Sequence, residues 1–231
     1  MRGKNRLYKQ HIFQHVKPDT VEKLWRSGQV KEFSKGSIIM RAKENIDFVC
    51  IQLSGKSMIY NMTHHGKRKI IFILGKGALL NEHVLDNQMT SLFCETIEKS
   101  QIFMVPSTVF LRLMEEDFSL VRAVMEIQAR KIWRLGHQLK NTMGSIYLER
   151  KLAAKLWKLA RDFGIVTEEG IEIDINLSIT LLADMLGAPR ETTSRLCSTL
   201  TEYGLMKINK KRIIIVNPEK MSEFYKTGNI N

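Results

Sequence analysis

The stretch that decides the fold is Leu177–Asn217, LSITLLADMLGAPRETTSRLCSTLTEYGLMKINKKRIIIVN. SITLLADMLG reads as a short helix with Ser178 at its N-cap, where a hydroxyl can accept from an otherwise orphaned backbone N–H. PRETTSRLCSTLTEYG predicts a second helix beginning near Arg190, and LMKINKKRIIIVN predicts a β-hairpin turning at Asn209–Lys211. Just upstream, YLERKLAAKLWKLARDFG places Leu148, Leu152, Leu156 and Leu159 on one helical face with Gly164 as a stop, and IEIDIN reads as a strand. Helix, short helix, turn, helix and basic hairpin together describe a winged helix-turn-helix.

The second helix of such a pair must present short polar groups to base edges. Its first turns hold Arg190, Glu191, Thr192, Ser194 and Arg195. The i, i+4 spacings of 190 with 194 and 191 with 195 put Arg190, Glu191, Ser194 and Arg195 on one broad face, while Leu196 and Leu200 point inward. Arginine can grip guanine O6 and N7 in a bidentate way, and glutamate can accept from cytosine N4, so this face suits a G·C-containing duplex. On an isolated helix the same run would read as a solvated Arg–Glu–Arg salt-bridge lattice, and the surrounding fold turns the reading toward DNA. Charge agrees locally. Within 186–216, Arg190, Arg195, Lys207, Lys210, Lys211 and Arg212 stand against only Glu191 and Glu202.

Bulk charge is less pointed. The formal net charge is +12, but residues 1–140 carry 23 Lys/Arg against 13 Asp/Glu and residues 141–231 carry 13 against 11. At 231 residues the chain can build two modest cores. No apolar run approaches the roughly 20 residues a spanning helix needs, and the opening MRGKNRLYKQ is not followed by a leader-like apolar stretch, so a cytoplasmic location without membrane association is expected. Cys50, Cys94 and Cys197 lie far apart with no CxxC pair, which predicts reduced structural thiols and neither a disulfide framework nor an iron–sulfur cluster.

From Val30 to about Val105 short β-rich runs punctuated by glycine, among them GSIIM, FVCIQLSG, KSMIYNM, HHGKRKIIFILGKG and SLFCETIEKSQIFMV, indicate a barrel or sandwich, with Gly66 at a hairpin turn. Residues 18–28, PDTVEKLWRSG, predict a short helix from Pro18 to Gly28 with Val21, Leu24 and Trp25 on one face. Residues 107–143 predict one long helix. Phe118, Val121, Met125, Gln128, Ile132, Leu135, Leu139 and Thr142 form a mostly apolar heptad seam along it. Such a seam wants a partner helix; the other reading packs it on the chain's own β domain.

These segments together resemble the CRP/FNR family of bacterial transcription regulators over nearly the whole chain. Residues 177–217 are similar to its winged helix-turn-helix, the KGSIIM, FVCIQLSGKSMIY and GKRKIIFILGKG segments to its cyclic-nucleotide-binding-type β-roll, and residues 107–143 to its dimerisation helix. The resemblance implies an α+β chain divided into a β-roll sensing domain at 1–115, a dimerisation helix at 116–143 and a DNA-binding domain at 144–231, with Gly144 as the hinge. It further implies a homodimer on double-stranded DNA, contact with RNA polymerase, and a palindrome of TGTGA-like half-sites read by Arg190, Glu191 and Arg195. Pro189 departs from the family's helix-capping Ser or Thr, which shifts backbone contact to Thr192, Thr193, Lys210, Lys211 and Arg212.

The sensing pocket departs too. Where nucleotide-binding members carry Gly-Glu for the ribose and Arg-Ser for the phosphate, this chain has Leu80–Asn81–Glu82–His83 and Thr90–Ser91. A cyclic AMP phosphate would meet no bidentate arginine there, so the expected effector is a different, unidentified small molecule between this pocket and the long helix. Two further readings are a constitutive DNA binder with an empty pocket and a cupin-like metalloenzyme using His64, His65, His83 and Glu82. The second lacks the H-x-H pair that a cupin needs. No Ser/His/Asp or Cys/His arrangement points to catalysis.

Overall fold

A computed structural model describes residues 7–81, 83–85, 89–140 and 147–230. The chain divides into two compact units, one ending at Gly136 and one beginning at His137, Lys67–Lys69 aside.

In the N-terminal unit a 3₁₀ turn at His11–Phe13 precedes α1, Pro18–Ser27. Proline opens α1 because its missing N–H is one the first turn would leave unpaired. Val21 and Leu24 are buried, and Trp25 stacks on Phe103 with ring centroids 5.5 Å apart. Gly28, which follows, allows this packing: a Cβ there would lie 2.2 Å from the Phe103 ring.

Among the described residues seven strands then form two antiparallel sheets: β1 (Gln29–Phe33), β2 (Ile38–Met40), β3 (Phe48–Ser54), β4 (Ser57–Met62), β5 (Arg68–Leu74), β6 (Phe93–Thr96) and β7 (Ser100–Pro106). One sheet has the order β1-β7-β3 and the other β2-β6-β4-β5. The SLFCETIEKSQIFMV run is thus two strands in different sheets. Gly66 sits in the β4–β5 turn at φ 74°, the left-handed region that disfavours a side chain. In the first sheet β3 and β7 bury both faces. Val49, Ile51, Leu53, Phe103 and Val105 pack toward the helices with Leu24, Phe110 and Leu120, while Cys50 and Ile102 meet Met40, Ile59, Phe72, Leu80 and Cys94 in a second core shared with the other sheet.

The expected single helix over 107–143 is broken. It is α2, Ser107–Glu116, and α3, Phe118–Lys140, separated by Asp117 in an extended conformation. The cause is the Asp117 side chain, which is 2% exposed and accepts from the Ser119 N–H at 2.9 Å, the Ser119 hydroxyl at 2.6 Å and the Thr20 hydroxyl at 2.6 Å. These bonds cap α3 and tie it to α1, and they need Asp117 outside the helix. Thr142 and Gly144, the end of the expected seam and the expected hinge, lie outside the described residues.

The C-terminal unit contains α4 (Leu148–Phe163), β8 (Gly164–Thr167), β9 (Gly170–Ile173), α5 (Ile179–Leu186), α6 (Arg190–Glu202), β10 (Met206–Asn209), β11 (Arg212–Ile215) and α7 (Pro218–Thr227). Its sheet has the order β10-β11-β9-β8. The expected strand IEIDIN stops at Ile173, and β8, unforeseen, pairs with it as a hairpin. Leu152, Leu156 and Leu159 of α4 are buried, as are Leu182 and Leu186 of α5 and Ile213, Ile214 and Ile215 of β11. α7 was also unforeseen, although Asn217 caps it through the Lys220 N–H, Pro218 opens it and Gly228 ends it at φ 87°.

Candidate nucleic-acid interface

α5 and α6 are joined by three residues. Ser178 accepts from the Leu181 N–H at 3.1 Å and so starts α5 as expected, and Gly187, at φ 74°, ends it with its N–H on the Ala183 carbonyl. A left-handed residue here lets the chain reverse within Gly187, Ala188 and Pro189 before α6 begins. Pro189 offers no side-chain cap, and its carbonyl accepts from both the Thr193 N–H and the Thr193 hydroxyl.

α6 buries Thr193, Cys197 and Leu200. The inward stripe is therefore 193–197–200; Leu196, expected inside, is only half-buried. Opposite it Arg190, Glu191, Ser194 and Arg195 are all exposed, and Thr192 is half-buried. Among the described residues no ion pair engages Arg190, Glu191 or Arg195, so a salt-bridge lattice does not consume this face. Ser198, Thr199 and Thr201 return their hydroxyls to carbonyls four residues back, which keeps them within the helix.

The hairpin turns where expected, with Lys210 at φ 57° at its apex and Lys210 and Lys211 exposed. The Lys211 carbonyl accepts from the Leu177 N–H at 2.8 Å, fixing the wing beside the start of α5. Arg212 differs from these lysines. Its Nη1 lies 2.5 Å from Asp174 Oδ1 and its Nε 3.9 Å from Glu172, so it clamps β11 to β9. Lys207 pairs with Glu169 at 2.8 Å.

In the N-terminal unit the expected effector residues divide. Leu80 belongs to the inter-sheet core. Asn81 is buried, its Oδ1 accepting from the Cys50 N–H at 2.6 Å and its Nδ2 donating to the Phe48 carbonyl at 2.8 Å. Thr90 is buried, donating its hydroxyl to the Leu92 carbonyl and bridging Lys43 and Glu44 through its backbone. Of the residues expected at an effector pocket, Leu80, Asn81 and Thr90 are thus engaged within the roll. His83 is half-buried and Ser91 exposed, and Glu82 lies outside the described residues. Asn81→Ala, which would orphan the buried Cys50 N–H and Phe48 carbonyl, is expected to cost about 1–3 kcal/mol in a denaturant titration. An unchanged midpoint would mean that these two hydrogen bonds do not hold the roll together.

Sequence reasoning passed over two other residues, Lys131 and Arg134 of α3. Lys131 Nζ donates to the Asn81 carbonyl at 2.9 Å, and the Arg134 guanidinium carbon lies 5.2 Å from the centre of the Phe72 ring. The signal was a second stripe on α3, Leu120, Val124, Ile127, Lys131 and Arg134, spaced by four and three like the seam and turned toward the roll. Along the seam itself Phe118, Met125, Ile132 and Leu139 are 72%, 62%, 69% and 65% exposed.

The three cysteines are buried free thiols. Burial pushes Cys50 up to about 12 and Cys197 up to about 11, and raises Cys94 as well, so all three stay protonated at neutral pH. His64 and His65 lie in the β4–β5 turn with rings 3.9 Å apart. No described helix is long and apolar enough to cross a membrane.

Comparison with known proteins agrees with this architecture. Residues 30–117 match the family model of the cyclic nucleotide-binding domain, and residues 150–224 match that of the Crp-like helix-turn-helix domain. The global nitrogen regulator of Synechococcus elongatus is 25% identical over 198 residues, covering 84% of this chain and 89% of that one. The CRP-like cAMP-activated global transcriptional regulator of Mycobacterium tuberculosis is 22% identical over 214 residues, covering 91% and 94%. In fold, FixK2 from Bradyrhizobium japonicum superposes with a TM-score of 0.74 at 18% identity, covering 85% of this chain and 96% of that one.

Proposed function

The chain belongs to the CRP/FNR family of DNA-binding transcription regulators, and from that premise we propose that it works as a cytoplasmic homodimer on a palindromic, TGTGA-like operator under the control of a small effector. The observation that carries the proposal is the face of α6, where Arg190, Glu191, Ser194 and Arg195 stand exposed at the start of a helix held by a buried stripe. Two such helices related by a two-fold axis would enter successive major grooves about 34 Å apart. Arg190 and Arg195 then address guanine and Glu191 cytosine, while Thr192, Lys210 and Lys211 meet the phosphates. Arg212 contributes by holding the wing.

The division of labour follows the same lines: sensing by 1–115, pairing through 116–143, DNA binding by 144–231. The exposed seam of α3 supports pairing, since large apolar side chains at consecutive heptad positions are costly to leave in water. An effector in the roll would act by favouring one arrangement of the two DNA-binding units over another, and the DNA-bound dimer would engage RNA polymerase.

Selecting bound duplexes from a random pool tests the reading and yields the operator. On that operator Arg195→Ala is expected to cost about 1–3 kcal/mol, with little change on random DNA. Equal losses on both would leave Arg195 as a phosphate contact only.

A further inference from the structure

α7 packs along one side of α4, and a row of cations and rings runs across the join. Arg150 fixes the two helices, donating from Nε to the Tyr225 carbonyl at 3.3 Å and from Nη2 to the Lys226 carbonyl, two acceptors that the last turn of α7 leaves open. Beyond it the Arg161 guanidinium carbon lies 5.0 Å from the centre of the Trp157 ring, the Trp157 and Tyr225 rings are 5.6 Å apart, and Lys226 Nζ lies 5.7 Å from the Tyr225 ring. Arg161 and Lys226 are exposed and the two rings half-buried. Nearby, Lys158 is paired with Asp162. Among the described residues no carboxylate pairs with Arg161 or Lys226, and neither the Trp157 indole N–H nor the Tyr225 hydroxyl has a hydrogen-bond partner. The row stands apart from the base-reading residues. Arg150, Trp157 and Arg161, spaced by seven and four, share the side of α4 opposite the buried Leu152, Leu156 and Leu159. α7 meets the far end of α6, where Tyr203 packs edge-on against Phe224 at 5.7 Å, about 20 Å along the helix from Arg190.

We propose that this α4–α7 face docks an acidic protein surface while α6 holds DNA. The inference rests on the reading given above, in which the DNA-bound dimer engages RNA polymerase, and assigns that engagement to Arg161, Trp157, Tyr225 and Lys226. Charge selects an acidic partner, because two cations without carboxylates of their own gain from carboxylates brought across an interface that sheds water. The rings select a protein over the phosphates of flanking DNA. Tryptophan, tyrosine and arginine are the side chains that anchor protein interfaces, where an aromatic ring buries a large flat area and keeps a donor at its edge. A phosphate contact needs only the donors. Stacking on Trp157 also restrains Arg161 before any partner arrives, so less side-chain freedom is lost on docking.

The test places the full chain on a promoter fragment carrying its selected operator, titrates in purified RNA polymerase holoenzyme, and measures operator affinity separately without polymerase. The wild type is expected to tighten polymerase binding by about 5–150-fold, an effect that shrinks as the ionic strength rises. Arg161→Glu and Lys226→Glu should each cut that gain about tenfold or abolish it, with operator affinity unchanged. If Arg161→Glu melts early, Arg161→Gln is read in its place and should show a smaller loss of the same sign. A full gain in the variants overturns the proposal and puts the polymerase contact elsewhere. Loss of operator affinity in the absence of polymerase also overturns it, since the row would then serve phosphates. A wild type that binds its operator and gives polymerase no gain defeats the polymerase reading itself, and this assignment with it.

Discussion

Replacing Ile132 with glutamate is expected to leave a folded monomer whose operator affinity is lower by about a thousandfold or more. Ile132 is 69% exposed in the single chain, so its removal opens no cavity, and it lies on the α3 stripe that the roll does not cover. Together with Phe118, Met125 and Leu139 it occupies one row of the heptad, and burying each such side chain against a partner is worth about 1.5–3 kcal/mol. Glutamate withdraws that term from both helices and sets two carboxylates across the axis, where like charges repel in a surface that is losing water. A monomer reads one half-site and falls back toward non-specific binding, which is about 10³–10⁷ weaker than specific binding. Sedimentation would show the change of mass and an operator titration the loss of affinity. A dimer that persists in this variant would place the pairing surface elsewhere.

The largest stability effect is expected at the corner between α2 and α3, where Asp117→Ala should cost about 2–4 kcal/mol, the sum of a lost helix cap and a buried hydroxyl left without its acceptor. Burial pushes the Asp117 carboxyl up, but hydrogen bonds from the Ser119 hydroxyl, the Thr20 hydroxyl and the Ser119 N–H, with Lys17 nearby, outweigh it and hold the group below its ordinary value of 3.8. The ionised form is thus the one that stabilises. Its contribution is fully present above the ordinary carboxylate range and is lost as the pH falls through the depressed folded value. Denaturant midpoints of the wild type should therefore fall on acidification below about pH 4, and Asp117→Ala, already lacking the term, should show a shallower fall. Parallel curves for the two proteins would mean that the carboxylate is not what holds the corner.

Much of this architecture is written in short-range signals. Ser178, Pro18 and the Lys210 turn mark their elements because capping, a fixed φ and a tight reversal each involve only a few neighbouring residues. The same kind of signal was present and unread at Asn217, Pro218 and Gly228, which bound α7. β8 was harder. Gly164 looks like a helix stop and is one, yet the strand starts on that same residue, paired to β9.

Residues 177–217, taken alone, determined a helix-turn-helix with a basic wing and a polar face on its second helix, because side-chain direction along a helix or hairpin follows from local periodicity. Tertiary structure alone decided that Asn81 and Thr90 complete the roll, that Asp117 breaks the long helix, that Arg212 clamps the wing and that Lys131 and Arg134 turn inward. Each of these depends on partners or neighbouring surfaces that folding brings close, and no local period records which carbonyl, carboxylate or ring a side chain will meet.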